Sequence, residues 1–377
     1  MVKSPILQQR LRNQRLLGNP LNTPEDVVSW LGAVQAQDYA GAKWGLGLRG
    51  RSFSDEAVDR AFDEGRILRT HLLRPTWHFV APADLRSFLA ISGPRVQAFN
   101  AYYYRRFELE ARHFVKSHAA IEQALQGRRF LTRAELSTVL AVARIDARGT
   151  RLAAVVMHAE LEGLICSGPR RGKQFTYALM DERVPRGRVL PPDEALVELT
   201  RRYFRSHGPA TIKDFVWWSG LTVAQAKTGM AAIEPALRRV DVGGLCYWVV
   251  PTSAPAGPSR TSTTYLLPNY DEFLIAYKDR DEVLAHGRAL ADQPPPLENS
   301  PHHVIVDGLL AGSWRRVPRP SAVQVDVNLF VRKPSARHQR ELAAAGRRLS
   351  TFLDRPVRMA TSTGRRPHGE RRIDAHG

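Results

Sequence analysis

Near the N-terminus the apolar residues fall at helical spacing. Ile6, Leu7, Leu11, Leu16 and Leu17 mark one face of a helix over 5–17, and Gly18-Asn19-Pro20 stops it. Thr23-Pro24-Glu25 opens a second helix, with Thr23 as its cap and Pro24 in its first turn. Val27, Val28, Leu31 and Val34 continue that face. Ser54 caps a third helix through Phe62. The period then changes: Ile67 to Val80 reads as two strands around a turn near Arg74-Pro75. Helices followed by a two-stranded ribbon make a winged-helix pattern, whose natural use is docking on DNA.

The pattern recurs. Pro82 to about Leu125 is largely helical, and Tyr102 to Arg106 has the spacing of a core position within a solvated face. Thr132 caps a helix ending near Val142, a further helix spans Thr150 to Glu162, and Leu164 to Leu179 reads as a hairpin with a basic tip. A Pro/Arg-rich linker at 183–192 leads to helices at 193–206 and 222–235 and to strands near 237–250. Ser253 to Thr263 has linker composition. Beyond it, short strands alternate with turns, the clearest hairpin turning at Asp307-Gly308, with one helix at 335–350. The expected fold is α+β: three winged-helix units at 1–100, 101–185 and 190–252, a small β-barrel at 262–362, and a disordered tail at 363–377.

Composition narrows the partners. Lys+Arg total 55 against 37 Asp+Glu, a net charge of +18, which suits a polyanion and most simply nucleic acid. An arginine-rich composition also follows from a GC-rich genome, so charge alone does not decide. With 2 cysteines, Cys166 and Cys246, there is neither a zinc quartet nor a disulfide framework. The polar, basic N-terminus and the lack of a long apolar run predict a cytoplasmic, nucleoid-associated protein with no membrane partner.

Familiar catalytic motifs do not apply. Gly45-Leu46-Gly47-Leu48-Arg49-Gly50 matches GxGxxG literally, but it follows a helix and sits in no βαβ unit. There is no HExxH and no GxSxG. His302-His303, at a strand start, reads as a surface pair. What remains is Gln35-Ala36-Gln37, two neutral amides two residues apart.

Val34-Gln35-Ala36-Gln37-Asp38-Tyr39 resembles the QxQ signature of the AlkZ-like DNA glycosylases. Three further blocks resemble that family: Leu68 to Val80, Leu266 to Arg280, and Val306 to Arg316. Gln37 is the distinguishing position, since the related YcaQ/AlkX branch carries Asp there. The resemblance implies three tandem winged helices with a C-terminal β-barrel, and removal of alkylated bases, including bulky N7-alkylguanine adducts and interstrand crosslinks. Gln35 and Gln37 are then the catalytic residues. The amides suit such a substrate. Alkylation at N7 makes the base cationic and a good leaving group, so catalysis needs an oriented water and a stabilised sugar cation rather than a strong acid or base. Joint action requires the second helix to end near Val34, because residues two apart on a helix face different sides.

The remaining candidates are DNA contacts. Arg69 and Arg74 flank the first ribbon, Thr76 and His78 lie on it, and Arg170, Arg171 and Lys173 form the second hairpin's tip. Tyr39 and Trp44 are candidates for stacking on a base, with core packing as the alternative. No metal or other cofactor is expected, and the enzyme is expected to be monofunctional. The expected partner is duplex DNA carrying alkylated bases, bound by a monomer. The competing reading is a non-enzymatic winged-helix regulator.

Overall fold

In the computed structural model, which describes residues 4–251, 263–284, 302–331 and 333–363, the first helices begin where their caps place them. Helix α1 spans Pro5–Asn13 and α2 spans Pro24–Leu31. Thr23 and Asp26 close a capping box at the start of α2. At its end Gly32 takes φ +86°, a conformation costly for any residue with a Cβ. The chain then runs extended as β1, Ala33–Gln35. The helix expected to reach Val34 therefore ends at Leu31, and Gln35 lies on a strand. A helix absent from the expectation, α3 (Tyr39–Gly47), follows under an Asp38 cap. It carries the first two glycines of the GxGxxG string, so that string opens no helix and follows no strand. Ser54 caps α4, Asp55–Asp63.

Strands β2 (Leu68–Leu72) and β3 (Arg74–Val80) complete a sheet in the order β1-β3-β2. Its turn sits at Leu73, which has φ 62°. Burial along β3 rises from half-exposed Arg74 to buried Val80.

A second group follows. Helix α5 (Pro82–Arg106) packs on β2, β3 and α8, while α6 (Ala111–Leu125), α7 (Arg133–Val142) and α8 (Gly149–Leu161) pack on a sheet ordered β4-β6-β5. Its strands are β4 (Leu131–Thr132), β5 (Ile165–Ser167) and β6 (Thr176–Leu179), and the short helix α9 (Met180–Arg183) follows. Tyr104 enters this group's core, while Tyr102 and Tyr103 stay exposed. The third group is α10 (Pro192–His207), α11 (Ile212–Ser219), α12 (Val223–Ile233) and the hairpin β7 (Arg238–Val242)–β8 (Leu245–Val249). Helices followed by a small ribbon thus recur along the chain.

The chain divides into two compact units. The larger holds Gln9–Ala256 together with Tyr270–Asp279, so a late segment completes an early core. That segment carries the short helix α13, Glu272–Ile275, and places Ala276 and Tyr277 in the same core as Phe88, Tyr203, Phe215 and Trp218. The smaller unit contains strands β9 (Thr264–Leu267), β10 (His302–Val306), β11 (Leu309–Pro318), β12 (Val323–Leu329) and β13 (Val357–Thr363), with helix α14 (Ala336–Leu353) joining the parallel pair β12–β13. The sheet order is β13-β12-β11-β10-β9. The β10–β11 hairpin turns at Asp307 (φ 53°) and Gly308 (φ 90°), the paired positive angles of a type I′ turn.

His303 is buried on β10, so His302-His303 is not a surface pair. Apart from Thr263, the expected linker lies outside the described residues, as does the expected tail beyond Thr363. Among the described residues no helix is long and apolar enough to cross a membrane.

Candidate active site

The extended backbone after Gly32 decides the geometry of the two amides. Gln35 pairs antiparallel with His78, and His78 pairs on its other side with Thr70, so the three form one row across the sheet. Directly opposed residues share a face, and so do residues two apart on a strand. Thr76 and Arg74 therefore join the face of Gln35, His78 and Thr70. Arg74 donates to Gln35 Oε1 at 3.0 Å. The ladder continues one residue past β1, where the Ala36 N–H donates to the Trp77 carbonyl at 2.7 Å. Gln37, at the following bend, is exposed, and its Oε1 stands 3.5 Å from the Trp77 N–H. The structure thus brings Gln35 and Gln37 together along β3, one amide buried and the other open to solvent.

Both neutral and charged groups meet Gln35. His78 is buried, and its Nδ1 lies 2.9 Å from the Thr76 carbonyl, so Nδ1 carries the proton and donates. Burial, then the Arg74 charge, pushes its pKa down to about 3. Its Nε2 and the hydroxyls of Thr70 and Thr76 are buried without a hydrogen-bond partner in the protein. The charged groups that bond Gln35 directly are Arg74 and Glu272. Glu272 Oε1 accepts from the Gln35 backbone N–H at 2.8 Å, and Oε2 accepts from Trp218 Nε1 at 2.9 Å, with His207 Nε2 at 3.5 Å. Burial works against this carboxylate's charge. His207, the Gln35 amide and Arg74 outweigh it and hold the carboxyl below its ordinary value.

The neighbouring acid is held as firmly. Asp271 takes a two-pronged pair of hydrogen bonds from buried Arg49, both 2.8 Å, and Arg49 also donates to Gly45 O and Gln14 Oε1. Asp271 and Glu272 lie within the Leu266–Arg280 block, where the sequence marks no site residue. The structure places Asp271 and Glu272 in the larger unit, with Glu272 against Gln35.

Several expected DNA contacts are spent inside the fold. Arg69 is buried, its guanidinium lying between the rings of Trp77 and Phe175, with Nε on the Ala36 carbonyl at 3.0 Å. It braces the peptide between the two glutamines rather than tracking a phosphate backbone. Trp44 is buried in the core, which removes it from any base-stacking surface. Tyr39 packs edge-on to Phe62, Phe79 and Phe175, and its hydroxyl donates to Asp59. Arg170 is tied to Asp59 at 2.9 Å and lies over Tyr39, so it is not a free wing-tip cation. Arg171 pairs with Glu135 but stays exposed beside exposed Lys173. Among the described residues no three His, Cys, Asp or Glu side chains stand together to hold a metal.

Buried neutral His78 carries a pH consequence. Unfolded, it takes a proton as pH falls below about 6.5, whereas the folded protein resists until about pH 3. The unfolded state binds more protons across that window, so stability falls as pH falls through it. At pH 5 the cost is about 2 kcal/mol relative to pH 7. Urea unfolding of the larger unit, followed by tryptophan fluorescence, should show a lower midpoint at pH 5. A His78→Asn variant should lose that part of the dependence, and an unchanged slope would assign it elsewhere.

Comparison with known proteins concerns the chain as a whole. The family model for DNA glycosylase AlkZ-like proteins matches residues 28–352. A relative described as an interstrand DNA cross-link repair glycosylase, from Streptomyces sahachiroi, is 27% identical over 329 residues, covering 83% of this chain and 88% of that protein. The solved structure of the Streptomyces sahachiroi DNA glycosylase AlkZ superposes with a TM-score of 0.76 over 94% of this chain and 98% of that one. At 24% identity that match establishes a shared mixed α+β fold.

Proposed function

The chain belongs to the AlkZ-like DNA glycosylase family, and from that premise we propose that it hydrolyses the N-glycosidic bond of cationic N7-alkylpurines in duplex DNA, using Gln35 and Gln37. The observation that carries this reading is the extended Gln35-Ala36-Gln37 segment, whose amides both lie along β3. In the reaction the bond between C1′ and the base nitrogen breaks, and its electron pair neutralises the cationic base. Water oxygen bonds to C1′, and its proton leaves to solvent. Arg74, donating to Gln35 Oε1, fixes that amide with its NH₂ directed to a sugar or phosphate oxygen. Exposed Gln37 orients the water. An amide does not remove a proton near neutral pH, so unmodified bases, which are poor leaving groups, are spared.

The finer architecture belongs to the same reading. The three helix-and-ribbon groups act as winged helices, and the five-stranded sheet with α14 acts as a small barrel. Exposed Arg171 and Lys173 contact phosphates, and one copy of the chain suffices. The relative's description extends the substrate class to interstrand crosslinks. The enzyme is monofunctional and leaves an abasic site.

The test is a duplex carrying a single N7-methylguanine, incubated at neutral pH. Free 7-methylguanine and an alkali-labile site should appear, while an unmodified duplex stays intact. Absence of release from both the methylated and an N7-crosslinked duplex would overturn the substrate assignment.

A further inference from the structure

We propose that Glu272 is a positioning residue for the glycosylase reaction, acting through Gln35 rather than on DNA. This inference rests on the catalytic reading of Gln35. Three observations support it. The first is register. Ala36 bonds to Trp77, and Gln35 faces His78 in the intervening position, where an antiparallel ladder leaves the backbone N–H pointing away from its partner strand. The outward Gln35 N–H is then an edge donor inside the protein, and Glu272 Oε1 takes it at 2.8 Å. That bond fixes the peptide plane from which the Gln35 side chain departs.

The second observation is the way Glu272 itself is held. Its other oxygen accepts from Trp218 on α11 at 2.9 Å and stands near His207 of α10. Asp271 caps α13, and Arg49 locks Asp271. The carboxylate is therefore placed by three elements and by the core, and a short charge-assisted bond passes that placement to Gln35.

The third is cost. A carboxylate 1% exposed is expensive to desolvate, and a buried charge network is a weak source of stability compared with apolar packing. Arg74, on the far side of the Gln35 amide, brings a positive charge where a sugar cation has to develop. Glu272 opposes that charge from within the protein.

The experiment uses the full-length protein and single-turnover release of 7-methylguanine from duplex DNA. Glu272→Leu should lower the rate about 100-fold and Glu272→Gln about 10-fold, a scale set by removal of one oriented hydrogen-bonding group in an active site. Affinity for the duplex should stay within about 3-fold, because Glu272 makes no DNA contact. The decisive comparison is the same substitution in a Gln35→Ala background, where it should have almost no further effect. If Glu272→Gln slows the reaction by the same factor with and without Gln35, the inference is overturned while the role of Gln35 stands. If Gln35→Ala alone is fully active, the catalytic reading fails instead. A Glu272 variant that loses duplex affinity with the rate unchanged would also overturn the inference. Glu272→Gln, close in shape, carries the comparison if the leucine variant does not fold.

Discussion

Asp271→Ala is expected to destabilise the larger unit by about 3–5 kcal/mol, the cost of leaving one partner of a buried ion pair uncompensated. Arg49 is 1% exposed, and burial works against its charge, but Asp271 outweighs burial and raises the guanidinium above its ordinary value. Alanine would leave the guanidinium with Gly45 O and Gln14 Oε1 only, both uncharged. It would also remove the side chain that accepts the Phe273 N–H at the start of α13. Since typical domains are stable by about 5–15 kcal/mol, much of that margin would go, and Gln35 would lose its support through Glu272. Urea denaturation of Asp271→Ala, Arg49→Met and the pair measures the effect. The double variant should be clearly more stable than the sum of the singles predicts, because it removes both charges together. Additive losses would show that the pair is not coupled.

Gln35→Ala is expected to slow release of 7-methylguanine by about 10²–10³, the usual cost of losing one preorganised polar group where charge develops. Duplex affinity should change little. Gln37→Ala should fall in the same range, and the double variant should be scarcely slower than either single, as for residues acting as a unit. The two losses differ in kind. The Gln35 amide is buried and held by Arg74, so alanine there also leaves Arg74 without that acceptor. Gln37 is exposed, and its removal leaves the sheet intact. Single-turnover rates for the three variants, with binding measured alongside, decide the matter. Wild-type rates in the double variant would remove the amides from the mechanism.

The sequence made helix starts readable because capping is local. Thr23, Ser54 and Thr132 each cap the helix expected of them, and Asp307-Gly308 turns the hairpin it announces. The site itself was harder to read, for reasons of range. Strand β1 has three residues, all buried, so it shows no alternation, and Val34 continues the helical spacing of α2. Only Gly32 marks the break. Arg69 read as a phosphate contact because a strand arginine is ordinarily solvated. The rings of Trp77 and distant Phe175 bury it. Glu272 lay inside a recognised block, yet its partner is 237 residues earlier in the chain, beyond any local pattern.

The segment Tyr270–Asp279 also sets a timetable for synthesis. Proteins assemble from the N-terminus as they emerge, and contacts between distant residues form late. Residues 9–256 leave the ribosome before the acids that complete them: Arg49 waits for Asp271, 222 residues on, and Gln35 waits for Glu272. A nascent chain stalled before that segment lacks the Glu272 acceptor for the Gln35 N–H, the Asp271 partner of Arg49, and the Ala276 and Tyr277 side chains of the core. The Gln35 peptide and the Arg49 charge are therefore settled only once the chain has been made through Asp279.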